Sequence, residues 1–148
     1  MENNIILEAS KMSIGYSNKK ENILISSGIN LTLERGKLIS LIGANGIGKS
    51  TLLRTLTGIQ KTLSGTVLLD GQNIHKLDSL SVARNLSVVL TEKLPPSNLT
   101  VFELIALGRQ PYTNWIGKLT KLDVAKVNEA MELTQISDLA TKKHFEIS

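Results

Sequence analysis

The sequence predicts an α/β protein, and three observations lead to that prediction. A short and almost wholly apolar run, residues 37–42, precedes a glycine-rich loop and then a helical pattern; this is the order expected for a buried strand, a turn and a helix. Alternating apolar and polar residues before this run, and an Asp70-Gly71 pair after it, indicate antiparallel strands. From about residue 100 onward the apolar spacing becomes helical.

The individual elements follow from the same patterns. Four short strands are predicted at residues 5–7, 11–16, 23–25 and 29–33, then a buried strand at 37–42 and a helix over 49–56. Asp70-Gly71 predicts a hairpin that joins residues 65–69 to 72–74. A short helix at 78–84 and an apolar strand at 86–90 complete this part.

The sequence predicts helices in the remainder of the chain, from about residue 100 onward. Two prolines in residues 93–98 interrupt regular structure. Thr100 and Glu103 have the spacing of a capping box at a helix start. Further helices are predicted over residues 120–134 and 136–143. The boundary between the sheet-rich and helical parts is placed at residues 92 and 93.

Composition narrows the possible classes of protein. Of 148 residues, 41% are hydrophobic and 20% charged, which is typical of a folded globular chain. Cysteine is absent, which excludes disulfide frameworks and zinc-thiolate sites. The formal charge is +4, but the lysines are scattered and not interleaved with aromatic residues, so no nucleic-acid partner is predicted. No apolar run approaches the roughly 20 residues that span a bilayer.

Residues 43–50 (GANGIGKS) form a phosphate-binding P-loop pattern. Glycines let the backbone direct N–H groups inward, and the following helix adds the positive end of its dipole. Lys49 is positioned to reach the β- and γ-phosphates, Ser50 to bind Mg²⁺, and Thr51 to contact the α-phosphate. The predicted ligand is ATP with Mg²⁺. The nucleotide-binding residues predicted in this loop are Gly43, Ala44, Asn45, Gly46, Ile47, Gly48, Lys49, Ser50 and Thr51.

Residues 44–53 (ANGIGKSTLL) and 56–58 (LTG) resemble the ATP-binding subunit of an ABC transporter, and the resemblance extends over essentially the whole chain. Residues 108–112 (GRQPY) are similar to the ATPases of importers for iron–siderophore, haem or cobalamin. The resemblance implies an α/β fold: an incomplete P-loop NTPase core with an antiparallel β subdomain (residues 1–92) and the start of a helical subdomain (residues 93–148).

The resemblance also implies roles for residues outside the loop. Tyr16 matches the aromatic residue that stacks on adenine. The family places a metal-contacting Gln at the position that here holds Thr91, followed by Glu92. We expect Thr91 or Glu92 to take the metal-side role, with two ordinary loop residues as the alternative.

The family's signature motif is expected to begin at about residues 147–148, and the second acidic strand and catalytic Glu to follow later. No catalytic centre is therefore expected to be complete within this chain, which would bind nucleotide weakly and hydrolyse it negligibly alone. As a translocating ATPase subunit, the longer protein would pair with transmembrane permease subunits and a second ATP-binding subunit, as a peripheral protein on the cytoplasmic face of the membrane.

Other interpretations of the function remain open at this point. A soluble ABC-type protein, or another P-loop NTPase not engaged in transport, is the principal alternative. A GTPase would carry an Asn-Lys-x-Asp motif, which this sequence lacks. A non-catalytic binding or structural role is a further alternative.

Overall fold

The computed structural model describes residues 4–18, 21–89 and 97–147. The chain divides into two compact units, Met1–Val88 and Val89–Ser148. Each unit has a hydrophobic core of its own, and each is described by itself below. No helix within the described ranges is long and apolar enough to cross a bilayer.

The first unit contains a four-stranded antiparallel sheet. Its strands are β1 (Ile5–Ser17), β2 (Asn22–Glu34), β3 (Ser64–Leu69) and β4 (Gln72–Asn73), in the spatial order β2-β1-β3-β4. The alternation predicted for β2 is confirmed, since Ile29, Leu31 and Leu33 are partly buried while Asn30 and Thr32 are exposed. The Asp70-Gly71 hairpin is confirmed as well.

The four short strands predicted before residue 34 are in fact two long ones. β1 continues through Lys11, where φ is 47° and the pairing with β2 and β3 shifts register. The backbone N–H of Lys11 does not enter the ladder but donates to Oδ1 of Asn30 at 2.8 Å. The irregularity is a bulge, and because its N–H has a partner the strand continues past it.

Two helices accompany this sheet. α1 (Lys49–Leu56) agrees with the predicted helix, and α2 (Ser79–Asn85) begins one residue after its N-cap Asp78, which accepts a hydrogen bond from the Ser81 N–H at 2.9 Å. The core joins the inner faces of β1 and β3 to Leu56 of α1. Its buried members are Leu7, Ala9, Met12, Ile14, Leu56, Val67, Leu69 and Ile74.

The predicted buried strands at residues 37–42 and 86–90 are wrong for the described residues. Residues 37–42 and 86–89 have no regular secondary structure, and Leu38, Ile42 and Val89 are at least 90% exposed; residue 90 lies outside the described ranges. An apolar run becomes a buried strand only where a neighbouring strand takes up its backbone hydrogen bonds. Among the described residues, no strand pairs with either run.

The second unit is helical. It contains α3 (Val101–Ala106), a 3₁₀ segment (Leu107–Tyr112) and α4 (Lys121–Leu133). The predicted capping box is confirmed, since Thr100 and Glu103 exchange hydrogen bonds at the start of α3. Val101, Val127 and Met131 form the core.

The helix predicted over residues 136–143 is reduced to one 3₁₀ turn, Ser137–Leu139. The reason is competition for its carbonyl groups. The carbonyl oxygens of Ala140 and Lys142 accept hydrogen bonds from the N–H groups of Phe102 and Val101, at 3.1 and 2.9 Å. An extended chain can satisfy these two N–H groups at the start of α3, whereas a continued helix would use the carbonyls internally.

Candidate functional site

The glycine-rich loop leads directly into α1. Its geometry depends on Gly48, the N-cap of the helix, where φ is 107°. A Cβ at this position would lie 2.6 Å from Cγ2 of Ile25 on β2. Both the backbone conformation and the close approach of the loop to β2 therefore require glycine.

Lys49 places a positive charge beside this loop, at the start of α1. The Nζ of Lys49 donates hydrogen bonds to the carbonyl oxygens of Gly43 and Ala44, at 2.6 and 2.7 Å. The first turn of α1 contains no acidic residue, so the dipole and the N–H groups at the start of the helix add to the lysine charge. The arrangement favours an anion.

Tyr16 lies beside the same loop, near the end of β1. Its hydroxyl is 3.2 Å from Oγ1 of Thr51 in α1, while 48% of the residue remains exposed. The preceding residue, Gly15, accepts a hydrogen bond from the side-chain amide of Gln60. These contacts fix the aromatic ring relative to the loop and leave part of it accessible to a ligand.

Together these elements enclose a recess of about 390 Å³, within the usual range for small-molecule sites. It has an aromatic side chain, the cationic Lys49 and loop backbone, but no carboxylate. Its lining residues are Tyr16, Ile25, Asn45, Gly46, Gly48, Lys49, Ser50 and Thr51. A ligand with an aromatic part and a multiply charged anionic part matches these groups.

The structure brings most of the predicted site residues together. Seven of the residues that line the recess were predicted from the sequence, and Gly43, Ala44 and Ile47 belong to the same loop without lining it. Thr91 and Glu92 lie outside the described residues. The side chain of Thr51 is turned toward Tyr16, and the residue is only 4% exposed, so its predicted contact with the α-phosphate stays a prediction.

Ile25 was missed by the sequence reasoning. It lines the recess and lies against the position that a Cβ of Gly48 would take. The strand pattern places Ile25 on β2 but carries no signal that its side chain meets a loop more than 20 residues later. Only the folded sheet brings them together.

Mg²⁺ fits this site through one protein oxygen. The hydroxyl of Ser50 lies in the first turn of α1, and the residue is exposed. Within residues 4–18, 21–89 and 97–147, no group of three or more His, Cys, Asp or Glu side chains could hold a metal ion by itself. Mg²⁺ commonly binds through one or two protein groups together with substrate phosphates and water, and a single serine suits that mode.

The sequence of this chain is similar to those of known proteins. The family model described as "ABC transporter" matches residues 26–148. An uncharacterized ABC transporter ATP-binding protein of Methanocaldococcus jannaschii is 39% identical over 97% of this chain and 48% of its own length. A probable siderophore transport system ATP-binding protein of Bacillus subtilis is 38% identical over 88% of this chain and 46% of its own length.

The fold is also similar to that of solved ABC transporter cassettes. A dimeric bacterial ABC transporter cassette superposes with a TM-score of 0.79 at 21% identity, over 97% of this chain and 63% of that one. The chain thus spans about half the length of the curated relatives it matches.

Proposed function

The chain belongs to the ABC transporter family, and from that premise we propose that it is the nucleotide-binding part of an importer's ATPase subunit. The longer subunit would couple ATP binding and hydrolysis to uptake of an iron-chelate-type substrate, as the siderophore and iron(3+)-hydroxamate proteins among its relatives suggest by name. One observation carries the nucleotide-binding part of this proposal: the recess that joins Tyr16, Lys49 and the start of α1.

Each end of ATP has a complementary group in this recess. The exposed face of Tyr16 offers a surface on which adenine can stack. Lys49 and the N–H groups of the loop and of α1 face the triphosphate. The lysine ammonium is already held at the loop mouth by two carbonyl oxygens, so little reorganisation is needed to add phosphate oxygens to its contacts.

Ser50 would hold Mg²⁺ beside the phosphates, and the bound ion would offset their negative charge. Thr91 or Glu92 would supply the second contact on the metal side. Replacement of Thr91 by Gln in the longer subunit tests this assignment through the Mg²⁺-dependent rate of ATP hydrolysis. A changed rate supports a metal-side role, and an unchanged rate removes Thr91 from the site.

The partners proposed for the longer subunit are transmembrane permease subunits and a second ATP-binding subunit. The segment at residues 91–113 would dock onto the permease, on the cytoplasmic face of the membrane. This chain by itself is expected to bind MgATP weakly and to hydrolyse it negligibly, since phosphoryl transfer needs a positioned nucleophile and further charge stabilisation.

The binding step can be tested on this chain directly. Titration with a fluorescent ATP analogue, with and without Mg²⁺, should show saturable binding that Lys49→Ala weakens by about 10- to 100-fold, the loss expected for charge-assisted hydrogen bonds. Lys76→Ala is the matched control, because Lys76 is exposed and does not line the recess. Absence of binding, or equal affinity in Lys49→Ala and the unchanged chain, would overturn the proposal.

A further inference from the structure

The 3₁₀ segment of the helical unit leads into a tight turn that carries the chain's single tryptophan. Oδ1 of Asn114 accepts hydrogen bonds from the N–H groups of Ile116 and Lys118, both at 3.1 Å. The N–H of Gly117 donates to the carbonyl of Asn114 at 2.9 Å. The turn is therefore held by the side chain of Asn114 and by backbone groups, and the side chains of Trp115 and Ile116 are left largely exposed. Residues 114–118 are called the tryptophan turn.

Trp115 and Ile116 project from this turn into solvent. Trp115 is 94% exposed and Ile116 is 68% exposed. The core of the helical unit is built from Val101, Val127 and Met131 instead. Two large apolar side chains are thus displayed by a preorganised turn that does not use them for packing.

The charges next to these side chains are positive. Lys118 ends the turn and Lys121 begins α4, and residues 113–122 contain no acidic residue. The nearest carboxylate along the chain, Asp123, is 2% exposed and lies 3.0 Å from Nε of Arg109. It is compensated inside the fold and does not offset the two exposed lysines.

From these observations we propose that the tryptophan turn is a membrane contact, which inserts Trp115 and Ile116 between the headgroups of an anionic lipid surface while Lys118 and Lys121 bind the headgroups. Tryptophan is enriched at the level of lipid headgroups, because its ring is apolar and its N–H is polar. Basic residues near a membrane are attracted to anionic lipid. The turn combines both features within eight residues, 114–121.

A lipid surface suits this turn better than a protein surface does. A specific protein interface usually buries 1,200–2,000 Å² of total surface, more than Trp115 and Ile116 provide by themselves. Interfacial insertion requires no complementary pocket, and its strength grows with each apolar side chain and each basic residue. The contact is independent of nucleotide, so its failure would leave the proposed ATP site unaffected.

The lone tryptophan makes the experiment direct. Its fluorescence is recorded as the chain is titrated with phosphatidylcholine vesicles, with or without 30% phosphatidylglycerol. We expect a blue shift and protection from acrylamide with the anionic vesicles, a much weaker response with neutral vesicles, and reversal in 0.5 M NaCl, since salt screens the lysine charges.

Three variants keep the tryptophan and separate the contributions. Ile116→Ser should weaken partitioning by about 10-fold, the lower end for burying one isoleucine side chain. The double change Lys118→Ser and Lys121→Ser should weaken it by about 30-fold on anionic vesicles, from about 1 kcal/mol per lysine. Leu133→Ser is the control, because Leu133 is 79% exposed at the end of α4 and outside the turn.

The proposal is overturned if anionic vesicles leave the Trp115 emission unchanged, or if Leu133→Ser weakens partitioning as much as Ile116→Ser does. It is also overturned if the intact transporter in detergent protects Trp115 from acrylamide while vesicles do not, because the turn would then contact a protein subunit. Circular dichroism of each variant verifies that the helices are retained.

Discussion

Replacement of Gly65 by alanine tests how closely the central strands of the sheet approach each other. Gly65 lies in β3 with a φ of 77°. A Cβ at this position would be 2.3 Å from the carbonyl oxygen of Lys11 and 2.6 Å from Cα of Met12. Both are backbone atoms of β1, at its bulge, and Met12 is completely buried. Neither atom can move aside without shifting the strand.

The expected loss of stability has two parts. A left-handed conformation costs an L-residue about 1–2 kcal/mol, and the strand displacement forced by overpacking adds about 1–3 kcal/mol. Gly65→Ala should therefore lower the free energy of unfolding by roughly 2–5 kcal/mol. Gly71→Ala is the matched control: φ is 75°, but no atom lies within 4 Å of the added Cβ. It should lose only the conformational part, about 1–2 kcal/mol.

Urea unfolding followed by far-ultraviolet circular dichroism measures both losses in the same way. The difference between the two variants isolates the close approach of β3 to the bulge in β1. Equal destabilisation of Gly65→Ala and Gly71→Ala would refute the reasoning, since it would mean that the strands separate at no measurable cost.

Two further predictions concern the helical unit. Met131→Ala should lower the stability of the helical unit by about 2–5 kcal/mol, because Met131 is 2% exposed. Leu133→Ala is the control and should show no comparable loss in thermal unfolding. Similar losses in the two variants would contradict the assigned core. Hydrogen bonds from the side chain and the backbone of Thr120, and then the nearby Arg109, hold the pKa of Asp123 below its usual range. A lowered folded-state pKa stabilises the protein above the unfolded value of about 3.9, and this stabilisation is lost as the pH falls through the folded-state pKa. Asp123→Asn should therefore be less stable than the unchanged chain at pH 7, and its free energy of unfolding should fall less as the pH is lowered. If the free energies of unfolding of the two proteins fall in parallel with pH, the prediction is contradicted.

Short-range signals were sufficient for much of the fold. The Asp70-Gly71 turn and the Thr100–Glu103 capping box each lie within four residues, so the sequence contains both partners side by side. The predicted strand at residues 37–42 failed because its state depends on a distant neighbouring strand, which its own apolar pattern cannot supply. The bulge at Lys11 depends likewise on the side chain of Asn30, which lies on another strand.

In the candidate site too, the residues that are contiguous in sequence were predictable and the contacts between distant residues were not. The loop at residues 43–50 was predictable because its glycines, lysine and serine are contiguous. Tyr16 was assigned through family resemblance and the scarcity of other aromatic residues, and its hydroxyl contact with Thr51 spans 35 positions. The contribution of Ile25 became visible only once β2 was placed against the loop.

The start of α3 has a consequence for the architecture of the chain. Thr100 bridges to Lys143, and the N–H of His144 donates to the carbonyl of Leu99 at 3.1 Å. Residues 99–100 and 143–144 therefore lie side by side, and these contacts close the segment between them. A segment whose two ends lie side by side can be lengthened or exchanged without separating the residues that flank it. Residues 101–142 can therefore change in length and sequence while the contacts that close the segment are kept.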